Sequence, residues 1–518
     1  MDEVSRNRLR GWTPALSCFL ILWVTLLALG FERLLRDPGT FWHTVVGERI
    51  LERHRLITTD PFSFTFEGRP WIAQQWLGEC VMAVVHRAAG LDGLLLVGAM
   101  LIAATFAWLY GRLRRGGFRA PAAALLLALF LAGCSYHFHV RPHLVTIALT
   151  AWTLGLLVDI ESGGRSARWL YALPPIMVLW TNVHGGALAG VLTTIVVLTA
   201  WAILSLRSQA KDKVGATGIR PAVCVVIAAL CGASILVNPY GVEMVRVWTA
   251  LSTSKVLPTI ISEHGRVALG SPESLILGAL AGIYLAMLLG CNRSDVRVTW
   301  LVPLLWLPLA FLRVRHGPLF VVTAAVVIAE MAPVCRWMQR PTLRRRFLGE
   351  ALATRRASWP CVVVCGLPIV ASLLIQMAGW RIPLIGAGWA RLDADYWPIA
   401  ATRAAKVYLR DRGTEARIFN DMLFAGYLIY QRVPAKVYID DRCELYGDEF
   451  LLHFVDLLRN PSKIEGEAPA RKIDLAMVRT GSRMAQYLTT SEAWTVLHCD
   501  ETATLFLRAP AAAGSPAP

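Results

Sequence analysis

The feature that most constrains this chain is a series of long apolar runs that recur from residue 12 to residue 377. A helix needs about 20 predominantly apolar residues to cross a membrane. The chain is 55% hydrophobic and only 17% charged, with a mean hydropathy of +0.49. A soluble protein of this composition would expose apolar surface that its few polar residues could not cover. The sequence therefore predicts a polytopic α-helical membrane protein.

The apolar runs predict about eleven transmembrane helices. The first run is too long for a secretory signal peptide and lacks a convincing small-residue cleavage site, so we expect it to remain in the protein as the first span. The predicted spans are residues 12–35, 93–110, 121–133, 144–159, 169–181, 187–206, 221–237, 275–289, 298–312, 319–334 and 360–377.

The basic residues predict how the chain is oriented in the membrane. The alternate loops "GRLRRGGFR", "ESGGRSAR", "LRSQAKDKVGATGIR", "NRSDVR" and "RWMQRPTLRRRFLGEALATRR" are all basic, whereas the short loops on the other side hold only Arg141, Arg313 and Arg315. Because cytoplasmic loops are enriched in Lys and Arg, we expect the amino terminus in the cytoplasm and the carboxyl-terminal segment outside. The formal charge of +16 is thus explained by basic residues in the cytoplasmic loops. We therefore expect no nucleic-acid partner.

The carboxyl-terminal segment differs in pattern from the apolar part of the chain. The runs "ARIFN", "KVYID", "DLAMV", "WTVLHCD" and "ATLFLR" are typical of strands, and helical patterns intervene at residues 421–430, 449–458 and 482–489. This alternation predicts an extracytoplasmic α/β domain over residues 381–508, after a transmembrane domain over residues 1–380. We expect residues 509–518, "APAAAGSPAP", to form a disordered tail.

Polar motifs collect on the predicted outer side. The first outer loop, residues 36–92, begins with "RDPGTFWH" and contains an amphipathic segment at residues 76–89. The later motifs on this side are "YHFHVRPH" at 136–143, "NVHGG" at 182–186, "NPYG" at 238–241, "SEHGR" at 262–266 and "RVRHG" at 313–317. Polar groups near membrane depth usually face a cavity or one another, so these motifs are candidates for one site.

An acid together with arginines and histidines is suited to group transfer from a phosphate. A carboxylate can take the proton of an acceptor hydroxyl, while guanidinium groups hold the leaving phosphate through paired hydrogen bonds. Asp37 is therefore the candidate catalytic base. The candidate phosphate-binding residues are Arg141, Arg313, Arg315, His43, His143 and His316, and the candidate lining residues are Trp42, His184 and His264.

The first outer loop resembles that of the GT-C glycosyltransferases. Its motifs "DPGTFWHTVVGERI", "TTDPFSFTFEGRPW" and "QQWLGE" are similar to those of bacterial multi-span proteins of the glycosyltransferase family 39 type. "RPH", "NVHGG", "NPYG" and "RIFND…GYLIY…VYIDDRCELYG" extend the resemblance over most of the chain. Gly39 replaces the second acid of the pattern, so the sequence offers less support for a pair of acids or a metal site at this position. We therefore assign no metal ligand. A divalent cation as cofactor is kept as an open alternative.

The resemblance implies a GT-C-like multi-span core with a soluble carboxyl-terminal domain. It implies transfer of a hexosyl or pentosyl group from a polyprenyl-phosphate-linked donor to an acceptor at the outer face of the bacterial inner membrane. Asp37 stands at the position of the catalytic acid in the first outer loop. Neither the sugar nor the acceptor, which can be a glycan, a lipid or a protein, follows from the resemblance.

Other functions fit parts of the same pattern. An O-antigen ligase or polymerase also uses outer arginines and histidines, but on a diphosphate carrier and with its large loop late in the chain. The many outer histidines suit a metal- or haem-binding protein, although no pair stands at i, i+4 in a clear helix. A non-catalytic scaffold, a transporter or an inactive glycosyltransferase are further alternatives.

Two features of the carboxyl-terminal segment are not explained by any of these functions. The acids of "YIDDRCELYG", Asp440, Asp441 and Glu444, can bind an acceptor or a cation, but we favour a solvated turn. Cys443 and Cys499 are candidates for a disulfide if this segment lies outside the cytoplasm.

Overall fold

The computed structural model describes residues 13–209, 219–349, 359–383, 386–411 and 415–509. The predictions for residues 1–12, for parts of the basic loops at 210–218 and 350–358, and for the tail at 510–518 lie outside the described residues. The described α-helices, α1 to α20 in chain order, are Pro14–Leu29, Pro38–Arg53, Trp76–Arg115, Ala120–Cys134, His143–Glu161, Leu173–Val183, Ala187–Gln209, Pro221–Ala233, Val242–Thr253, Leu257–Ile260, Pro272–Gly290, Val302–Leu312, Gly317–Met331, Pro341–Phe347, Trp359–Met377, Ile399–Leu409, Met422–Tyr430, Cys443–Arg459, Ile464–Ala470 and Arg483–Thr490.

Within the described residues, seven helical segments are long and apolar enough to cross a membrane. They are Trp76–Arg115, Ala120–His137, His143–Glu161, Ala187–Arg207, Pro272–Gly290, Val314–Met331 and Trp359–Met377. Shorter apolar helices at Pro14–Leu29, Pro221–Leu236 and Val298–Leu312, together with α6, coincide with the remaining predicted spans. The chain is a multi-pass membrane protein, and the number of eleven spans stays a prediction.

Helix α3 is interrupted where the sequence predicts a change of segment. The sequence separates an amphipathic segment at residues 76–89 from a span at 93–110, and the helical segment Trp76–Arg115 has a kink between the two. Its backbone is non-helical at Ala89 and Gly90. Gly90 has a φ of +59°, which glycine adopts at little cost, so the helix changes its course at this residue.

The chain divides into two compact units. The helical unit consists of Met1–Leu34, Val85–Val245 and Ile261–Ala390, and the sheet unit consists of Leu35–Val84, Arg246–Ile260 and Arg391–Pro518. The predicted boundary at residue 381 lies close to the last of these junctions. The sheet unit also takes in most of the predicted first outer loop, a grouping that hydropathy does not reveal.

A mixed five-stranded sheet forms the centre of the sheet unit. Its strands are β1 (Ala416–Asn420), β2 (Ala435–Val437), β3 (Leu475–Arg479), β4 (Trp494–Cys499) and β5 (Ala503–Arg508), in the order β2-β1-β3-β5-β4. Strand β1 is parallel to β2 and β3, and β5 is antiparallel to β3 and β4. All five predicted strands and the three predicted helices are present as β1–β5, α17, α18 and α20; α16 and α19 are additional. The side of the membrane on which this unit lies stays a prediction.

Glycines let the first outer loop pack closely within the sheet unit. A Cβ atom at Gly47 in α2 would lie 2.0 Å from the carbonyl oxygen of Glu79 in α3. A Cβ atom at Gly426 in α17 would lie 2.3 Å from the carbonyl oxygen of Pro38. Because both neighbours are backbone atoms, only glycine permits these approaches. Helix α2 is consequently buried over most of its length.

Candidate phosphate-binding site

Two of the predicted outer loops are joined within the helical unit. Val267 N–H donates to the carbonyl oxygen of Phe311 at 3.1 Å, and Val314 N–H donates to that of Gly265 at 2.9 Å. These hydrogen bonds hold the motif "SEHGR" alongside "RVRHG". The two motifs, with their arginines and histidines, therefore lie next to each other.

Arg315 makes a charge-assisted contact with His264. The Arg315 Nη1 atom lies 2.8 Å from His264 Nε2. A guanidinium group only donates hydrogen bonds, so Nε2 accepts and the neutral ring carries its hydrogen on Nδ1. Burial, reinforced by the charge of Arg315, lowers the pKa of His264 to about 3. The Nδ1 atom of His264 is buried and has no hydrogen-bond partner among the described residues.

Arg141 pairs with an acid that the sequence analysis overlooked. Its Nη1 atom lies 3.7 Å from Glu263 Oε1, with 20% of the Arg141 side chain and 33% of the Glu263 side chain exposed. Burial alone would raise the pKa of Glu263, but the charges of Arg141 and Arg315 outweigh it and hold the pKa well below its usual value. The acid of "SEHGR" was visible in the sequence, but nothing local marked it as a partner of Arg141.

His184 is held in one tautomer by a chain of hydrogen bonds. Trp180 Nε1 donates to Thr146 Oγ1 at 2.9 Å, and this hydroxyl lies 2.9 Å from His184 Nδ1. The Gly186 N–H donates to the same Nδ1 atom at 2.9 Å. Nδ1 is therefore an acceptor, and the neutral ring carries its hydrogen on Nε2. Burial, reinforced by the charges of Arg315 and Arg141, lowers the pKa of His184 to about 3.

Of two further histidines of the helical unit, His143 lies next to His184 and His137 lies next to His143. His143 Nε2 lies 2.5 Å from the carbonyl oxygen of His137, and its ring centroid is 6.3 Å from that of His184. His137, which the prediction did not include, has its ring centroid 5.9 Å from that of His143. The predicted site residues in the helical unit are Arg141, Arg313, Arg315, His143, His184, His264 and His316.

The other predicted site residues belong to the sheet unit. Asp37 caps helix α2, since its Oδ1 accepts a hydrogen bond of 2.7 Å from Gly39 N–H. His43 Nδ1 lies 2.8 Å from Glu79 Oε1, and both side chains are fully buried. The rings of Trp42 and His43 are in contact, with centroids 3.6 Å apart. A phosphate-binding role of His43 stays a prediction; its observed partner is Glu79.

Comparison with known proteins shows which fold the chain has. No protein-family model and no curated protein matches the chain. Among solved structures, the chain is similar to ArnT from Cupriavidus metallidurans bound to undecaprenyl phosphate, with a TM-score of 0.51 and 13% identity over 96% of this chain and 99% of ArnT. The apo state of the same ArnT gives a TM-score of 0.50 and 14% identity over 95% and 98%. The chain has a GT-C-like fold. The predicted GT-C-like fold is confirmed, whereas the number of spans and the side of the membrane on which the sheet unit lies stay predictions.

The sheet unit contains an enclosed ion cluster. Arg442 Nη2 lies 2.7 Å from Asp60 Oδ1 and 2.6 Å from Asp440 Oδ2, and all three side chains are 0% exposed. The rings of Trp71 and Phe62 lie 4.5 Å and 5.0 Å from the Arg442 guanidinium carbon. The interpretation of "YIDDRCELYG" as a solvated turn is therefore wrong. Its partner Asp60 lies 382 positions earlier, where no local pattern reveals it.

Two further expectations can be compared with the GT-C-like structure. Cys443 is buried and Cys499 is exposed, and both are free thiols, so the candidate disulfide is not formed. Within the part of the chain that the structure describes, no group of three or more His, Cys, Asp or Glu side chains is arranged to hold a metal ion.

Replacing Arg442 with Met should strongly destabilise the sheet unit. The substitution leaves Asp60 and Asp440 buried without their counter-charge, a loss of about 3–5 kcal/mol for a buried pair. Arg432 provides the matched control, because its ion pair with Glu48 at 3.0 Å has an arginine side chain that is 72% exposed. Thermal unfolding in detergent should show a large decrease in midpoint for Arg442→Met and almost none for Arg432→Met. Equal midpoints would show that the enclosed pair does not stabilise the unit.

Acidification should destabilise the protein through His184 and His264. Both have a folded-state pKa of about 3, so between pH 6.5 and 3 the unfolded chain binds protons that the folded chain does not. Each contributes a slope of about 1.4 kcal/mol per pH unit in this window and none above it. The thermal midpoint should decrease from pH 6.5 to 4, less steeply in His264→Gln. The control is the same substitution, His54→Gln, at an exposed histidine. If His264→Gln leaves the pH dependence of the thermal midpoint unchanged, His264 is not a source of the acid destabilisation.

Proposed function

We propose that the chain is a membrane glycosyltransferase that transfers a sugar from a polyprenyl-phosphate donor to an acceptor hydroxyl at the outer face of the bacterial inner membrane. The observation that carries this proposal is the cluster in the helical unit, where Arg141 pairs with Glu263 and Arg315 with His264. The GT-C-like fold supports it, because the similar ArnT structure holds undecaprenyl phosphate. The amino terminus would be cytoplasmic and the sheet unit extracytoplasmic.

The chemistry of the cluster suits a phosphate. Guanidinium groups keep their charge at all physiological pH values and match two phosphate oxygens at once. His184 and His264 are neutral at pH 7, so each offers a ring N–H without adding charge. The unpartnered Nδ1–H of His264 is a donor of the kind that a phosphate oxygen would satisfy.

The transfer step can be written with Asp37 as the base. The acceptor oxygen attacks the anomeric carbon of the sugar and forms the new glycosidic bond. The bond between this carbon and the phosphate oxygen breaks, and its electron pair remains on the phosphate. The hydroxyl proton passes to the Asp37 carboxylate. The phosphodiester with one negative charge becomes a monoester with nearly two, and the arginines stabilise the charge that develops.

Replacing Arg141 with Ala should weaken binding of polyprenyl phosphate by about tenfold or more, because a charge-assisted contact to the phosphate is lost. Native mass spectrometry of the protein in nanodiscs, with polyprenyl phosphate and polyprenyl-phosphate sugars added, measures this directly. Arg266→Ala is the matched control, since Arg266 is an exposed arginine of the same loop. No binding to the wild-type protein, or equal binding to Arg141→Ala, would contradict the proposed site.

Replacing Asp37 with Asn should separate binding from chemistry. The amide keeps the shape of the side chain but cannot accept the acceptor proton, so the donor should bind as to the wild type while sugar transfer is lost. Transfer is measured with a labelled polyprenyl-phosphate sugar and a bacterial envelope extract as the source of acceptor. Full transfer by Asp37→Asn at normal expression would rule out Asp37 as the base.

A further inference from the structure

Glu263 stands in a cluster whose ligand would be an anion. It lies on a 3-10 turn, Ser262–His264, that the two backbone hydrogen bonds of the loop hold in place. Its carboxylate pairs with Arg141, and its charge also acts on Arg315 and His264. The negative charge of Glu263 repels a phosphate, so a site that only had to bind phosphate would have higher affinity without this carboxylate. The presence of Glu263 therefore points to a function other than tight phosphate binding.

A carboxylate and a phosphate compete for the same guanidinium group. Each presents a pair of oxygens to the planar fork of an arginine. The Arg141 and Glu263 side chains are 20% and 33% exposed, so the pair is only partly enclosed by the protein. An incoming phosphate can therefore exchange with the carboxylate at Arg141. Arg442 contrasts with this arrangement, because its acidic partners are fully enclosed with it.

The charges of the cluster can be counted. Arg313 belongs to the cluster because its charge acts on Arg315 and His264. Arg141, Arg313 and Arg315 supply three positive charges and Glu263 supplies one negative charge, which leaves two positive charges while the histidines are neutral. A phosphomonoester carries up to two negative charges at neutral pH, and a diphosphate carries about one more. The cluster with Glu263 thus matches a monophosphate, and the extra charge of a diphosphate would face the carboxylate.

We propose that Glu263 is a built-in competitor of the lipid phosphate, which occupies Arg141 in the free protein and makes the site select a polyprenyl monophosphate over a polyprenyl diphosphate. This inference rests on the proposed function. It also gives Glu263 a role in turnover. The leaving monoester carries more charge than the donor and would bind more tightly; the return of the carboxylate to Arg141 favours its release.

The test compares two lipids of the same chain length, polyprenyl phosphate and polyprenyl diphosphate, on the full-length protein in nanodiscs. Glu263→Gln should bind the monophosphate about fivefold or more tightly than the wild type and should gain more for the diphosphate, so that the preference for the monophosphate is reduced or reversed. Glu263→Asp retains the charge and should retain the preference. Glu243→Gln makes the same change of charge at an exposed position and should bind like the wild type.

The outcomes separate this inference from the proposed function. If the wild type binds no polyprenyl phosphate, the proposed function fails and the inference fails with it. If the wild type binds and Arg141→Ala does not, but Glu263→Gln has wild-type affinity for both lipids, only the role of Glu263 is overturned. Loss of the preference in Glu263→Asp would also overturn it, because the charge is unchanged. Thermal midpoints that match the wild type establish that each variant is folded.

Discussion

An arginine in an apolar helical unit needs hydrogen-bond acceptors and a compensating charge, and the polar part of this unit provides both. Arg315 donates to the neutral ring of His264, and the charge of Glu263, which pairs with Arg141, also acts on Arg315. Backbone hydrogen bonds hold the loops of Glu263 and Arg315 together. Charged groups at membrane depth are costly, so they remain only where such partners exist. Pairing of this kind holds the guanidinium groups in defined positions, and under the proposed function a phosphate must displace the Glu263 carboxylate from Arg141.

The sheet unit meets the same requirement in a different way. Arg442 is enclosed with Asp60 and Asp440, between the rings of Trp71 and Phe62. This arrangement ties the segment after α2 to the segment before α18, although they are far apart in the chain. An enclosed pair of this kind has no access for a ligand, so we interpret it as structural. The pair at Arg141 is only partly enclosed, and the proposed exchange with a ligand depends on this difference.

Local sequence patterns predicted the elements well but not their partners. Alternating strand patterns located all five strands, and hydropathy located a helix in each apolar run, because both signals lie within a few neighbouring residues. The pairing of Glu263 with Arg141 and of Asp60 with Arg442 could not be predicted, because each depends on residues brought together from distant segments. The motifs still indicated arginines and histidines of the helical unit that lie in contact with one another or with Glu263, and their role in phosphate binding stays a prediction.

The most direct test of the account is a cryo-EM map of the protein in nanodiscs with bound polyprenyl phosphate. The account predicts phosphate density within hydrogen-bond distance of the Arg141 guanidinium, in contact with Arg315 or His264, and with the Glu263 carboxylate moved away from Arg141. Lipid phosphate density elsewhere on the protein, with the Arg141–Glu263 pair intact, would contradict it.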